Sequence, residues 1–274
     1  MPTTIELVRE QPEVARVVFR TETGVHILST ALLKEFQRIV EQVHMDKSVR
    51  VVVIESAGRT FLAGADLREL QSLTPKRALS YSRQGQQLFQ RIAELTAVTI
   101  SAIHGPCAGG GVELSLACDL RIAATSAKIG LPEVKLGLIP GWGGSVRATL
   151  LLGPSVAQRI ILSGELLPAA EALRLGLVDA VYPDGEFREA VNSRIAQYLQ
   201  AGPAAVAAAK GLIREMYGVE LIDLLEMEAE RFADCYRTGE PASGTAAFLE
   251  KRPAAWACPA PNPPEKAQKR SRKA

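Results

Sequence analysis

The sequence predicts an α/β fold in which stacked ββα units give way to a helical C-terminal region. Two observations carry that reading. Between residues 49 and 124, strand, crossover and strand recur at short intervals; from Gly141 onward the chain reads as helix after helix, broken by glycine and proline. The first pattern indicates stacked units rather than a regular nucleotide-binding sheet.

The elements follow in order. Ile5–Val8 and Val14–Phe19 are short β-rich segments separated by a turn at Gln11-Pro12. Ser29 or Thr30 caps a helix whose apolar residues Leu32, Leu33, Phe36, Ile39, Val40 and Val43 recur at intervals of three and four. Val49–Ile54 holds, after Arg50, the continuous apolar run VVVI suited to a strand buried on both faces. A loop over Ser56–Ala65 leads into Asp66–Leu70, and Pro75 opens a longer helix to about Leu95. Val98–Ile103 is the next buried strand. Past Gly109-Gly110-Gly111 come a short helix, Val112–Ala117, and a strand, Leu120–Ala124. Helices are then expected over Gly144–Leu152, Ser155–Leu162, Pro168–Leu175, Glu186–Gln200, Pro203–Tyr217, Leu221–Tyr236 and Ala242–Phe248. The Leu221–Tyr236 helix is amphipathic and suited to pack on its own core or on a neighbouring subunit.

Composition narrows the class. The 274 residues suffice for one sizeable core, at 47% hydrophobic and 23% charged residues. A formal charge of +2 gives no strong overall field, and the basic excess is confined to the tail PNPPEKAQKRSRKA. A solvated, disordered tail is favoured there over a nucleic-acid or membrane contact. Four cysteines (Cys107, Cys118, Cys235, Cys258) show no CxxC spacing, and three histidines (His26, His44, His104) show no HxxxH grouping. Free thiols in a reducing compartment are expected, and no metal site. The N-terminal segment has acids and a proline where a signal peptide needs an apolar run, and no stretch of about 18 apolar residues occurs. The expectation is a soluble, cytoplasmic protein.

Two glycine-bearing loops follow buried strands and enter helices: Ala63-Gly64-Ala65-Asp66 and Gly105-Pro106-Cys107-Ala108-Gly109-Gly110-Gly111. Small residues before a helix leave N–H groups approachable, the raw material of an oxyanion hole. They equally serve tight strand–helix turns, and neither loop fits the GxxxxGK[ST] or GxGxxG phosphate patterns. Glu113, in GGGVELSLACDL, and Glu133, in GLPEVKLGLIPGWGG, lie among apolar and glycine neighbours. A carboxylate placed so needs either a function or a fixed basic partner. From the residues alone both readings stand.

Five segments together resemble the enoyl-CoA hydratase/isomerase (crotonase) family: FLAGADLREL (61–70), AIHGPCAGGGVELSLACDL (102–120), GLPEVKLGLIPGWGGSVR (130–147), SGELLPAAEALRLGLVD (163–179) and FLEKRPAAW (248–256). They occur in the family's order and spacing, and the likeness covers roughly residues 3–256. The resemblance implies a crotonase-like spiral of ββα units over 1–200, a C-terminal helical trimerisation region over 201–256, and a basic tail, 257–274, outside it. It implies a homotrimer or a hexamer, with an acyl-CoA as substrate and no cofactor, coenzyme A being part of that substrate. The amides of Ala65 and Gly110 match the oxyanion donors, and the Gly141 amide matches a water-positioning group. Glu113 and Glu133 match the two glutamates of the hydratases, Glu113 as base and Glu133 as proton donor.

The same resemblance separates the branches. Δ3,Δ2-enoyl-CoA isomerases generally rely on the second acid alone, and dienoyl-CoA isomerases carry Asp at the position of Glu113 and Asp where this chain has Gly141. An enoyl-CoA hydratase is therefore expected. An isomerase, a pathway-specific hydratase, and a trimeric scaffold or nucleic-acid binder acting through the tail remain the alternatives. For coenzyme A, Ala63, Asp66 and Leu67 match the adenine-binding loop, with Arg68 near the nucleotide; Lys251 and Phe248 match a contact to a neighbouring subunit's CoA. Solvated roles for Arg68 and Lys251 are the competing reading. Two departures stand out: His26 replaces a common Asn, and Thr21-Glu22-Thr23 supplies no lysine. Trp142, beside Gly141, is either a wall of the acyl pocket or core.

Overall fold

The computed structural model describes residues 2–257. A hairpin of β1 (Thr4–Gln11) and β2 (Val14–Arg20) leads to α1 (Thr30–Met45). The next turn comprises β3 (Val51–Ser56), α2 (Leu67–Gln71) and α3 (Pro75–Ala93). The third comprises β4 (Val98–Ile103), β5 (Cys107–Ala108) and α4 (Gly110–Ser115). The fourth holds β6 (Leu120–Ala124), β7 (Lys128–Gly130), a 3₁₀ turn at Glu133–Leu136 and α5 (Gly144–Ser163). Then come β8 (Leu167–Pro168), α6 (Ala169–Arg174), β9 (Ala180–Tyr182) and α7 (Phe187–Leu199). Three helices follow: α8 (Pro203–Glu215), α9 (Leu221–Arg237) and α10 (Glu240–Leu249).

The large sheet runs β1-β2-β3-β4-β6-β9, parallel throughout except for the opening hairpin. Its central strands are buried on both faces because both are covered, mostly through apolar residues but with Thr99 and Ser101 of β4 and Arg121 of β6 buried as well. Val51 and Val53 point toward α7, where Val191, Ile195 and Leu199 meet them; Val52 and Ile54 join the larger core with Leu33, Phe36 and Phe89 of α1 and α3. A small second sheet, β5-β7-β8, is extended by single bridges from Leu62 to Cys107 and from Leu28 to Ala65. The second, third and fourth turns each place one strand in the large sheet and then one short extended piece in or beside the small one. A helix or 3₁₀ turn comes next. Successive turns stack through both sheets, which is the crotonase-like spiral.

Local chemistry accounts for the boundaries. Ser29 caps α1 by accepting from Leu32 N–H, and Thr74 caps α3 with Pro75 at the first position. Within α5, Gly153 takes φ 76, ψ 161 ahead of Pro154, so the element consists of two helical segments across a kink, as the sequence predicts. At the end of α10, Arg252 N–H donates to Ala247 O (3.0 Å) and Lys251 N–H to Phe248 O (3.1 Å). That is a Schellman turn with lysine, at φ 55, where glycine is usual. Helix α8 is fastened to the sheet by Lys210, whose Nζ donates to Asp119 Oδ2 (2.7 Å) and Ala97 O (2.9 Å). Asp119 Oδ2 also accepts from Thr99 N (2.7 Å) and Thr99 Oγ1 (2.9 Å). Asp119→Ala leaves the Lys210 ammonium unpaired and is expected to cost about 2–3 kcal/mol, read as a lower urea midpoint; an unchanged midpoint would show the pair to be dispensable.

The structure corrects the expectation of an almost wholly helical stretch after Gly141. Leu167–Pro168 and Ala180–Tyr182 are strands, so Pro168 precedes its helix rather than opening it. The short strands β5 and β7, likewise unpredicted, run two and three residues. Pieces that short carry no period of their own, and pairing with neighbours defines them. The short helix after the glycine run also begins earlier than predicted, at Gly110. Three described cysteines, Cys107, Cys118 and Cys235, are free as expected, and Cys258 lies outside the described residues. Among the described residues no helix is long and apolar enough to cross a membrane, and no cluster of three metal-ligating side chains occurs.

Candidate active site

The second, third and fourth turns meet at a cavity of about 570 Å³, a size suited to a small-molecule ligand. Leu67, Leu70, Leu73 and Ala78 from α2, α3 and the segment between them line it, together with Leu136 of the 3₁₀ turn and Leu138 and Ile139 beyond it. Polar groups are few: Glu113, Glu133, Ser82, Thr74 and Tyr81, with the backbone of Gly64, Ala65, Gly109, Gly110 and Gly141. The site residues predicted for chemistry therefore converge, although they come from three separate turns.

The two glycine loops touch. Gly64 takes φ +106, and a Cβ there would fall 3.1 Å from Ala108 O and 3.6 Å from Gly110 N. The bridge between Leu28 and Ala65 uses Leu28 N–H to Gly64 O (2.8 Å) and Asp66 N–H to Leu28 O (3.3 Å). Donors alternate along an extended chain, so the N–H of Ala65 itself faces away from Leu28. Gly110 is the first residue of α4 and its N–H has no acceptor four residues back. Among the described residues neither the Ala65 nor the Gly110 N–H meets a protein acceptor. Two unclaimed donors on one cavity wall can together hold an oxygen bearing negative charge.

Glu113 sits on the buried face of α4 at 3% exposure. Its Oε1 accepts from Trp142 N (2.7 Å) and Gly144 N (2.9 Å), while Oε2 carries no protein hydrogen bond among the described residues. Glycine at 144 is required for this approach, since a Cβ there would lie 2.8 Å from Glu113 Cγ. Burial raises the Glu113 pKa to about 7, with the charge of Glu133 adding to it; the two backbone donors and Arg147 pull the other way. Glu133 opens the 3₁₀ turn and packs its Oε1 against Gly109, where a Cβ would be 3.1 Å away. Its Oε2 is buried without a partner, and burial raises its pKa as well. Both acids resist ionisation, and Glu113, at about 7, exchanges its proton near neutral pH.

These shifts have a stability consequence. Glu113 ionises at 4.5 when unfolded and at about 7 in the fold, so the native state loses stability as pH rises from 4.5 through 7. Glu113→Gln, isosteric and uncharged, is expected to be more stable than wild type at pH 8 by on the order of 2 kcal/mol. The gain should vanish at pH 4, as thermal melts at the two pH values would show; a constant difference would refute the strained carboxylate.

Trp142 answers both readings of it. It is 2% exposed, packs against Tyr81 (centroids 5.2 Å) and edge-on to Phe89 (5.8 Å), and its six-membered ring also lines the cavity beside Gly110. His26 is fully buried, with Nδ1 3.0 Å from Thr60 O, and burial lowers its pKa, so it is a neutral structural residue in the loop before α1. Of the predicted coenzyme A contacts, Ala63 and Leu67 line the cavity. Asp66 caps α2 by accepting from Arg68 N (2.9 Å), and the Arg68 side chain is exposed. Phe248 (83% exposed) and Lys251 lie at the end of α10 and do not line this cavity. Sequence reasoning missed the clamp on Glu113 from the segment after Gly141. Its signal was the glycine pair following Trp142, which a plain helix start does not need.

Comparison with known proteins places the chain. The family model described as enoyl-CoA hydratase/isomerase matches residues 9–259. A probable enoyl-CoA hydratase of Bacillus subtilis (strain 168) is 39% identical over 229 residues, covering 82% of this chain and 88% of the relative. A protein named crotonyl-CoA hydratase, of Syntrophomonas wolfei, is 33% identical over 249 residues, covering 90% of this chain and 96% of the relative. Among solved structures, an enoyl-CoA hydratase from Bacillus anthracis superposes with a TM-score of 0.88 at 35% identity, covering 93% of this chain and 99% of that one.

Proposed function

The chain belongs to the enoyl-CoA hydratase/isomerase family, and from that premise we propose that it hydrates a 2-enoyl-CoA to the 3-hydroxyacyl-CoA, reversibly. One observation carries the choice of reaction: both Glu113 and Glu133 face the cavity that also holds the paired Ala65 and Gly110 amides. An isomerase needs one acid to carry a proton between carbons; adding water calls for a base and an acid together.

In the proposed reaction the thioester oxygen sits on the Ala65 and Gly110 N–H groups. Glu113, fixed through Oε1, takes a proton from water at Oε2 as the water oxygen bonds to C3. The electron pair of the double bond moves into the thioester as an enolate held by the two amides. Glu133, protonated, delivers its proton to C2. The Gly141 N–H helps hold the water, and proton exchange between the two acids resets the site. No resident cofactor enters this scheme, and coenzyme A arrives as part of the substrate.

The finer features of the reading follow. The adenine end of coenzyme A runs past Ala63, Asp66, Leu67 and Arg68. A homotrimer, or a dimer of trimers, brings Phe248 and Lys251 of one subunit to the coenzyme A of the next. Supporting the assembly, Leu221, Ile222 and Phe232 of α9 and Leu249 of α10 are 66–79% exposed in the single chain. The step belongs to cytoplasmic fatty acyl breakdown by β-oxidation. The test is hydration of a panel of 2-enoyl-CoAs, beginning with crotonyl-CoA, followed by loss of conjugated-thioester absorbance. A wild-type protein inert toward every enoyl-CoA overturns the assignment.

A further inference from the structure

The backbone that clamps Glu113 is itself held from behind. Trp142 N–H, one of the two donors to Glu113 Oε1, shares a peptide group with Gly141 C=O. That carbonyl accepts from Ser82 Oγ (2.5 Å) and Gln86 Nε2 (3.0 Å), both on α3, and Gln86 Nε2 also lies 3.1 Å from Ser82 Oγ. The peptide is trans, so its C=O and N–H point in opposite directions. The result is one line: Ser82 and Gln86, the peptide, then the carboxylate. Donors on a carbonyl draw charge out of the peptide and strengthen its N–H as a donor at the other end.

We infer that Ser82 and Gln86 are positioning residues that fix and polarise the Gly141–Trp142 peptide and thereby tune the basicity and aim of Glu113. This rests on the reading of Glu113 as the base. Ser82 also lines the cavity, but Gln86 has no other evident task. Neither belongs to the core, Gln86 is solvent-exposed and absent from the cavity wall, and both are one helical turn apart on the same face of α3. Two neighbouring carbonyls are held from the start of α5. Pro140 O accepts from Ser145 Oγ (3.2 Å) and Trp142 O from Arg147 Nη1 (3.4 Å). Of the two peptides that donate to Glu113 Oε1, the Gly141–Trp142 one is held at its carbonyl by α3, whereas the Gly143 carbonyl accepts from Arg147 N–H (2.8 Å) of α5. Other ionisable groups facing Glu113 are Glu133 from the 3₁₀ turn, Arg147 from α5 and Tyr81 from α3. None of them changes when Ser82 or Gln86 is replaced.

A carboxylate that loses support from a donor binds its proton more tightly, so the variants should need higher pH to ionise. The peptide's hydrogen bond to Glu113 is charge-assisted and weakens without being lost when its carbonyl support goes. That weakening corresponds to a shift of roughly half to one pH unit. The experiment compares wild type, Gln86→Leu, Ser82→Ala, the double variant and Ser82→Thr. It measures pH profiles of kcat and KM on an enoyl-CoA that the wild type turns over. It also follows the Glu113 carboxyl by carbon-13 NMR, which needs no turnover. The expected result is an acid limb displaced upward in Gln86→Leu and further in the double variant. KM for Gln86→Leu should hold within about twofold, and Ser82→Thr should restore the limb because it keeps a hydroxyl. An acid limb and a Glu113 titration unmoved in Gln86→Leu and Ser82→Ala would overturn the inference. So would a uniform loss of kcat across pH. An inert wild type would instead sink the hydratase reading while the NMR titration still decides this one.

Discussion

Glu113→Gln is expected to lower kcat for enoyl-CoA hydration by about 10²–10⁴-fold, with KM changed far less. The amide keeps an oxygen to accept from Trp142 and Gly144, so the segment after Gly141 and the cavity should persist. What disappears is the capacity to take a proton from water. Glu133→Gln should produce a loss of similar size, by removing the proton destined for C2. Because the two acids act on one addition, the double variant should be little slower than either single one, well short of the product of the two losses. Steady-state rates on one enoyl-CoA decide the matter. Near-full activity in either single variant would remove the two-carboxylate mechanism.

Gly64→Ala should cost about 10²–10³-fold in kcat without touching either acid. Its φ of +106 is one that residues with a side chain rarely adopt, and the new Cβ would press on Ala108 O at 3.1 Å. Relief of both strains rotates the following peptide, the one carrying the Ala65 N–H. The thioester oxygen would then keep the Gly110 donor alone. Binding of a saturated acyl-CoA, which bears no enolate charge, should weaken much less than turnover. A kcat within twofold of wild type in a folded variant would show that the Ala65 amide does not serve the reaction.

Much of the architecture was legible because burial leaves a period. The α1 face from Leu32 to Val43 and the apolar runs of β3 and β4 were readable for that reason. The strands of two or three residues were not, since their identity lies in the partner across the small sheet. Glu113 and Glu133 were readable as anomalies, acids where apolar surroundings make acids costly. Which atoms restrain them was not readable. The Trp142 and Gly144 donors are 29 and 31 positions from Glu113, and Ser82 is 59 from Gly141. Those contacts exist only once the fourth turn of the spiral is stacked against the second and third.

That stacking has a bearing on how activity is acquired. The amide of Ala65 comes from the second turn, Gly110 and Glu113 from the third, and Glu133 with its neighbours from the fourth. Each turn pairs mainly with the turn before it, as in a solenoid where nearest-neighbour contacts dominate. Nascent chain that has assembled only its first two turns therefore possesses a hydrophobic core and no catalyst. Competence arrives in one step, when the fourth turn docks. During refolding, helical and sheet signals should recover ahead of turnover, and the interval between them would time the closing of the spiral.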